Sequence, residues 1–307
     1  MNYIQLQQAI QNYAENTESL FVSSIPTFIQ EAEERIYNTV QLPALRKNVM
    51  GVTSANFQYV SLPNDWLAAF SFAVVDGSGN YQYLLNKDVN FLREAYPSPT
   101  STGLPKYYSL FGPQSTNVNE LSLMLGPTPD ASYQVEMHYY YYPPTIVQGL
   151  ITGLSSSFTA GSGYTNGIYT QVPLTGGNGY NATATIVIAG GSVTSCTLNN
   201  GGSLYVAGDS LSFDIASLGS SAGSGFIITV ASISNATGTS WLGDNYDPAL
   251  FYGAMREAMI FMKGEQDMVA YYDQKYQEAI QQLIRLGAGL ERGDTYRNGQ
   301  AKIPVMP

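Results

Sequence analysis

The chain has little of the material from which most catalytic and metal sites are built. It contains one cysteine, Cys196, and one histidine, His138, among 307 residues. A single thiol can form neither an internal disulfide nor a cysteine-rich zinc site, and a single imidazole excludes most histidine-based metal centres. No phosphate-binding loop of the form G-x-x-x-x-G-K-[ST] occurs in the sequence. We therefore predict a protein that is not an enzyme, with no catalytic residues, no bound metal and no cofactor.

Long apolar runs and positive charge are also scarce. No segment reaches the roughly 18 apolar residues of a membrane helix, and the first basic residue is Arg35, so the start of the chain does not resemble a secretory signal. The 13 Lys and Arg against 23 Asp and Glu give a net charge of −10. This balance argues against gripping nucleic acid, whereas acidic channel walls would let DNA slide past. We expect synthesis in a cytoplasm and no membrane association.

Residues 148–239 differ in composition from the rest of the chain. Their only charges are Asp209 and Asp214, and they hold more than half of the 30 glycines. Short alternating apolar runs between Gly-rich turns are typical of antiparallel β-structure. The pattern G-S-x-Y-x-x-G begins at Gly161 and again at Gly202. We predict two related β-motifs that pair into one module.

Helices are predicted on both sides of this module. Residues 2–15 form the first, Ser24 caps a second with Pro26 in its first turn, and Asp247 caps a third. A fourth helix follows Gly264 and stops at Gly287 or Gly289. The predicted helix-packing residues are Phe28, Ile29, Ile36, Phe251, Met255, Met262, Tyr276 and Leu283.

Residues 46–147 are mostly predicted strands, with a hairpin loop at Asp76–Asn80 and a short helix capped by Asn86 or Asp88. The last strand contains the stretch HYYYYPP, from His138 to Pro144. Because no carboxylate and nucleophile accompany the histidine locally, we interpret this cluster as a strand end at a domain junction.

Two chemical alternatives stay open beside these structural interpretations. Residues 176–184, GGNGYNATA, resemble one calcium-binding nonapeptide, although Asn181 stands where aspartate belongs. The carboxylates Glu31, Glu33 and Glu34 could supply the pair that a glycoside hydrolase needs, but beside Arg35 they are predicted to form a solvated helix face.

Several segments together resemble the head-to-tail connector, or adaptor, proteins of short-tailed bacteriophages. They are FIQEAEERIY, SLPNDWLAAFSF, GLPKYYSLFG, LMLGPTPDASYQVEMHYYYYPP and YDPALFYGAMREAMIFMKGEQDMVAYYDQKYQEAIQQL. These segments lie within residues 1–147 and 240–290, so the Gly-rich module is a departure from the family pattern.

The resemblance implies a ring, typically dodecameric, that docks under the portal protein and presents its lower face to the tail nozzle and tail fibre proteins. It implies a virion protein, with genomic DNA passing through without specific binding. We expect the C-terminal tail to bind the portal through Arg292, Tyr296, Arg297, Ile303 and Val305.

The predicted fold class is α+β, with an extended tail at residues 290–307. A helical domain is built from residues 1–45 and 240–289, an antiparallel β-domain from 46–147, and an inserted all-β, sandwich-like module from 148–239. Two other functions remain possible at this point. The module could bind a receptor or glycan, or Glu31 and Glu34 could belong to a tail-associated cell-wall hydrolase.

Overall fold

The computed structural model of the protein describes residues 1–113, 121–219 and 222–290. These residues form both helices and mostly antiparallel sheets, which confirms the predicted α+β class. The helices are α1 (Tyr3–Ala14), α2 (Ser19–Thr39), α3 (Val89–Ala95), α4 (Trp241–Asn245), α5 (Asp247–Phe261) and α6 (Gln266–Leu290). The strands are β1 (Arg46–Val52), β2 (Tyr59–Ser61), β3 (Trp66–Val75), β4 (Tyr81–Tyr83), β5 (Leu85–Asn86), β6 (Tyr107–Gly112), β7 (Ser122–Gly126), β8 (Gln134–Tyr141), β9 (Leu150–Ser162), β10 (Gly167–Thr175), β11 (Tyr180–Ala189), β12 (Ser192–Ser203), β13 (Ser210–Phe213) and β14 (Ser224–Ser234).

The chain divides into two compact units. One comprises Met1–Val40 and Pro144–Arg285, and the other comprises Gln41–Pro143 with the residues from Leu286 onward. The first unit therefore holds most of the helical residues together with the Gly-rich module. The division into four parts that the sequence suggested remains a prediction. The two compact units do not test it, because one of them contains both helices and the module.

The second unit contains two four-stranded sheets. Their strand orders are β1-β8-β3-β4 and β2-β7-β6-β5. Alternation along β8 turns Val135, Met137 and Tyr139 toward a shared apolar core, where they meet Phe72 and Leu123. The predicted hairpin loop joins β3 to β4, and its Asp76 carboxylate accepts hydrogen bonds from the backbone N–H groups of residues 78 and 80.

The Gly-rich module is a single six-stranded antiparallel arrangement with its own core. Its strand order is β12-β11-β10-β13-β14-β9. The order is symmetric between the half β9–β11 and the half β12–β14. If β9 is exchanged with β12, β10 with β13 and β11 with β14, the same strand order results, read from the opposite end. The first strand of each half therefore pairs with the last strand of the other half, as expected for the two related motifs predicted from the repeat.

The repeated glycine and tyrosine occupy equivalent places in the two halves. Gly161 and Gly202 have φ of 66° and 61°, which glycine adopts without strain. The hydroxyl of Tyr164 accepts a hydrogen bond from the backbone N–H of Phe226 at 3.0 Å, and that of Tyr205 accepts one from Ala182 at 3.4 Å. In each half the tyrosine satisfies a buried backbone donor on the strand that its glycine approaches.

Helix α2 begins at Ser19, earlier than the sequence predicted. The apolar stripe continues upstream of the expected cap, because Phe21 and Ile25 are both buried. Burial of this stripe outweighs the backbone hydrogen bond that Pro26 removes inside the helix. Ser24 is not a cap, since its hydroxyl donates to the Leu20 carbonyl within the helix.

Three other helix boundaries were predicted from capping residues and glycine, and the structure agrees with them in different degrees. Asp88 caps α3 by accepting a hydrogen bond from Asn90, as one of the two alternatives predicted. Asp247 is the first residue of α5, and Tyr246 occupies the cap position. The predicted stop at Gly287 is wrong, because α6 continues to Leu290 and this glycine packs against the side chain of Leu42.

Candidate assembly surfaces

The predicted helix-packing residues lie mainly in the interior of the helical region. The buried members are Phe28, Ile29, Ile36, Met255, Tyr276 and Leu283, while Phe251 and Met262 are half-buried. Gly253 allows α5 to lie close to α2 and α6, since a Cβ at this position would lie 3.0 Å from Ala32 and 3.2 Å from the ring of Tyr276. These side chains hold the helices of one chain together.

A different apolar set is left exposed at the ends of the helices. Phe261, at the end of α5, packs against Phe21 and Phe28 of α2, so the start of one helix lies beside the end of the other. Leu20 and Ile260 are exposed at these same ends. The hydrophobic periodicity pointed to the buried stripe and missed this set, because it lies off the stripe.

Glu33 is a buried carboxyl group at the base of the Gly-rich module. Only 3% of the residue is exposed. Its Oε2 accepts a hydrogen bond from the Thr145 hydroxyl at 2.5 Å, and its Oε1 accepts one from the Ile146 backbone N–H at 2.8 Å. Burial raises the pKa of Glu33 to about 7, although both hydrogen bonds act in the opposite direction. The predicted solvated face of Glu31, Glu33 and Glu34 is therefore wrong for Glu33.

The strand that leaves the module is tied to the same place. The Asn235 side chain donates to the Thr145 carbonyl at 2.8 Å and to the Thr239 carbonyl at 2.7 Å. The backbone N–H of Gly149 donates to the Asn235 carbonyl at 3.2 Å. We call Glu33, Thr145, Ile146 and Asn235 the module root, because the segments that enter and leave the module are joined there to each other, and the entering segment is joined to α2.

Helix α1 makes a second connection to the module. Tyr3 is fully buried, and its backbone N–H donates to the Gly238 carbonyl at 2.8 Å. The Gln7 side chain donates to the hydroxyl of Tyr180 on β11 at 2.8 Å. Two separate helices therefore hold the module within its unit.

The tyrosine cluster ends a strand, as predicted. Strand β8 stops at Tyr141, and the boundary between the two units falls between Pro143 and Pro144. The Tyr139 hydroxyl donates to Asp65 at 2.9 Å, and Lys47 donates to the other oxygen of that carboxylate at 2.5 Å. Burial, reinforced by this carboxylate, raises the pKa of Tyr139 to about 12. The cluster is a set of packing and hydrogen-bonding groups.

The lone histidine lies on the outward side of the same strand. His138 Nε2 is 3.3 Å from Glu136, so the structure supplies a carboxylate that the sequence analysis had not assigned to it. Ser71 lines the same open hollow, together with Tyr81 and Tyr83. Within the described residues no hydrogen bond joins Ser71 to His138, so the contact between base and nucleophile that acyl transfer requires is not formed there.

The other chemical alternatives gain no support from the geometry. Glu31 and Glu34 are exposed on α2, and Arg35 pairs with Glu257 at 2.7 Å instead of with Glu31. The glycine-rich stretch from Gly176 is a turn between β10 and β11. In the part of the chain that the structure describes, no three His, Cys, Asp or Glu side chains are grouped to hold a metal ion.

The predicted portal-binding residues Arg292, Tyr296, Arg297, Ile303 and Val305 lie outside the described residues. Among the helices that are described, none is long and apolar enough to cross a membrane.

Comparison with known families identifies the chain. The family model for the SU10 adaptor protein matches residues 1–157, just over half of the 307 residues. The chain belongs to the SU10 adaptor protein family. It is thus a phage head-to-tail adaptor, a structural protein of the virion that binds other phage structural proteins. No curated protein matches the chain by sequence.

The adaptor match covers particular parts of the structure. It includes α1, α2, both sheets of the second unit and three members of the module root, and it ends inside β9. The remaining strands of the Gly-rich module and the helices α4 to α6 lie beyond it. The resemblance noted for the C-terminal helices therefore remains a prediction.

Proposed function

We propose that this adaptor forms a ring of about twelve copies between the portal protein and the tail nozzle and tail fibre proteins. The adaptor family match over residues 1–157 carries the proposal.

The charge of the chain suits a channel for the genome. With a net charge of −10, a ring of many copies would repel the DNA backbone from its walls. DNA would pass without specific binding, since strong binding needs clustered Lys and Arg. The purified protein is therefore expected to carry no DNA, and a wash at high salt concentration should release none.

The C-terminal tail is the proposed portal contact. Arg292 and Arg297 would pair with acidic portal residues, and Tyr296, Ile303 and Val305 would supply apolar anchors. The tail follows α6, a helix of 25 residues, so its origin is held by a long element of the fold. A segment that orders on a partner in this way gains affinity from many small contacts.

The test is the native mass of a mixture of the adaptor and its cognate portal ring. Full-length protein is expected to add a complete set of copies to the portal. A chain that ends at Gly289 should add no copies. The control for length and charge is a chain in which a scrambled sequence of the same composition replaces residues 290–307. Equal binding by all three would show that the tail is not the portal contact.

The module has a second candidate role, as a binding surface for a receptor or glycan. Ile168 and Val206 are apolar side chains that are exposed on the module. Because Gly149 and Asn235 are hydrogen-bonded to each other, residues 150–234 can be deleted with little separation of the new chain ends. Loss of adsorption with assembly retained would support the binding role, and loss of assembly would support a role in contacts between structural proteins.

A further inference from the structure

Strand β1 is an open edge of its sheet. Among the described residues it pairs with β8 alone, and it is the first strand in the order β1-β8-β3-β4. Residues 49–52, Val-Met-Gly-Val, carry no charge, and Met50 and Val52 are 59% and 69% exposed. The strand begins with Arg46 and Lys47, but these two side chains are engaged within the chain by Tyr140 and Asp65. An uncharged apolar edge such as residues 49–52 attracts further strands, because no charge or proline protects it.

The opposite edge of the same sheet is also open, and two of its three residues are aromatic. In the part of the chain that the structure describes, strand β4 pairs with β3 and with no other strand, and its Tyr81 and Tyr83 are 55% and 66% exposed. These tyrosines lie on the outer face of the sheet, the face that carries Glu136 and His138. Met50 and Val52 lie on that outer face as well, because they are opposite Glu136 and Gln134 in the register.

The strand directions allow the two edges to join. Each neighbouring pair in the sheet is antiparallel, and the sheet has four strands, so β1 and β4 run in opposite directions. A copy of β1 placed beside β4 of another copy would therefore continue the antiparallel alternation. Each copy would use two different edges, and such a head-to-tail contact produces a ring when the rotation closes.

The register also brings suitable side chains together. One row of the sheet runs through Met50, Glu136, Ala73 and Tyr83, and another runs through Val52, Gln134, Val75 and Tyr81. If the rows continue into the next copy, Tyr83 lies opposite Met50 of the partner subunit and Tyr81 lies opposite Val52 of the partner subunit. Aromatic and aliphatic side chains are favourable cross-strand neighbours.

The core of the unit is open beside β1. A groove of about 270 Å³ lies there. Its lining includes Val49, Val60, Leu62, Phe72, Val135 and Met137. A strand added at this edge would lie over the mouth of the groove and shield these apolar side chains from water.

From these observations we propose that β1 of one copy pairs with β4 of the next, so that the sheet continues from subunit to subunit around the ring. The occupant of the open edge is thus a second copy of this chain. The proposal rests on the ring of the proposed function and specifies the contact that would build it.

Disulfide trapping tests the contact in the full-length chain. In a Cys196→Ala background, Met50→Cys combined with Tyr83→Cys places thiols on the two edges. Neighbouring residues on paired strands have Cα atoms about 4.5–5.5 Å apart, within the range that a disulfide can bridge. Mild oxidation, with and without the portal ring, is expected to yield a ladder of covalent multimers. Each single variant should give no covalent multimers, and Ile168→Cys with Val206→Cys serves as the exposed control pair.

The outcomes separate this contact from the proposed function. Portal binding without a ladder would overturn the edge pairing and leave the adaptor ring intact. A ladder without portal binding would support the pairing and refute the portal contact. Covalent dimers from Met50→Cys alone would mean that β1 pairs with itself, which also overturns the proposal. If the control pair gives the same ladder, the disulfides form by random collision between molecules, and the ladder does not support the pairing of β1 with β4.

A charge at the edge gives an independent readout. Val52→Lys should weaken self-association about tenfold or more, because a lysine on an edge strand opposes strand addition. Ile168→Lys, at a site that is 71% exposed on the module, should have no effect. Circular dichroism of both variants checks that they fold. Unchanged association of the folded Val52→Lys variant would overturn the proposal.

Discussion

Replacement of Glu33 by glutamine should change how the stability of the protein depends on pH. In the folded state the pKa of Glu33 is raised by burial to about 7, from an ordinary value of 4.5. Between these two values the folded protein holds a proton that the unfolded chain has lost. Stability from this group is therefore fully present below about pH 4.5 and is lost as the pH rises through about 7.

The size of the effect follows from the separation of the two values. At about 1.4 kcal/mol per pH unit, the difference between 4.5 and about 7 amounts to about 3 kcal/mol. Glutamine has nearly the same shape and does not ionise. Its carbonyl can accept the hydrogen bond from Ile146, and its amide can donate to the Thr145 hydroxyl. The variant should thus gain stability relative to wild type by about 3 kcal/mol between pH 4.5 and pH 8.

Urea unfolding at several pH values would measure this difference. Trp241, in α4, belongs to the same unit as Glu33, and Trp66 belongs to the other. A Trp66→Phe background therefore restricts the fluorescence signal to the relevant unit. Glu34→Gln removes an exposed carboxylate from the next position of α2 and is the matched control. If Glu33→Gln and Glu34→Gln show the same pH dependence, the argument that Glu33 is buried and protonated is refuted.

Other perturbations probe the module and the tyrosine cluster. Tyr164→Phe leaves the buried N–H of Phe226 without its partner and should cost about 1–3 kcal/mol in urea unfolding; no loss would mean that water replaces the hydroxyl. Gly202→Ala should destabilise more than Gly190→Ala, because both glycines have positive φ but only Gly202 lacks room for a Cβ. Asp65→Asn removes a carboxylate that accepts hydrogen bonds from Lys47 and Tyr139. Partial burial raises the pKa of Asp65, but these two partners outweigh it and lower the pKa overall, so wild type loses the stability from this group as the pH falls. The difference in unfolding free energy between wild type and Asp65→Asn should therefore become smaller in acid.

Local signals in the sequence were sufficient wherever the deciding contacts are local. Asp88 and the Asp76 loop were predicted because an aspartate side chain reaches backbone N–H groups within four residues. The module was recognisable from its composition and from the repeated Gly and Tyr, since each half of the fold needs the same glycine backbone and the same tyrosine hydroxyl. The same structural requirement in both halves therefore appears as a repeated motif within one sequence.

The errors arise where distant contacts decide. The burial of Glu33 depends on Thr145 and Ile146, more than a hundred residues away, and its neighbours in the sequence suggested a solvated face. Gly287 looked like a helix stop because its packing against Leu42 involves the other end of the chain. The open edge of β1 was likewise invisible, because an alternating strand gives no sign of which neighbour it lacks.

The module root explains how the adaptor accommodates so large a β-structure between two of its segments. The first and last strands of the module pair with each other, with Leu150 opposite Ser234, so the chain enters and leaves at one point. Residues 144–149 and 235–240 can therefore remain neighbours whether the module is present or absent. Asn235 joins the two segments to each other, and Glu33 joins them to α2. The module is therefore attached to the helices at its base, while its exchanged strands stabilise it internally. Cutting out residues 150–234 should for that reason remove one surface of the adaptor and leave the root closed, and failure of the shortened chain to fold would show instead that α1 and α2 need the module as a packing partner.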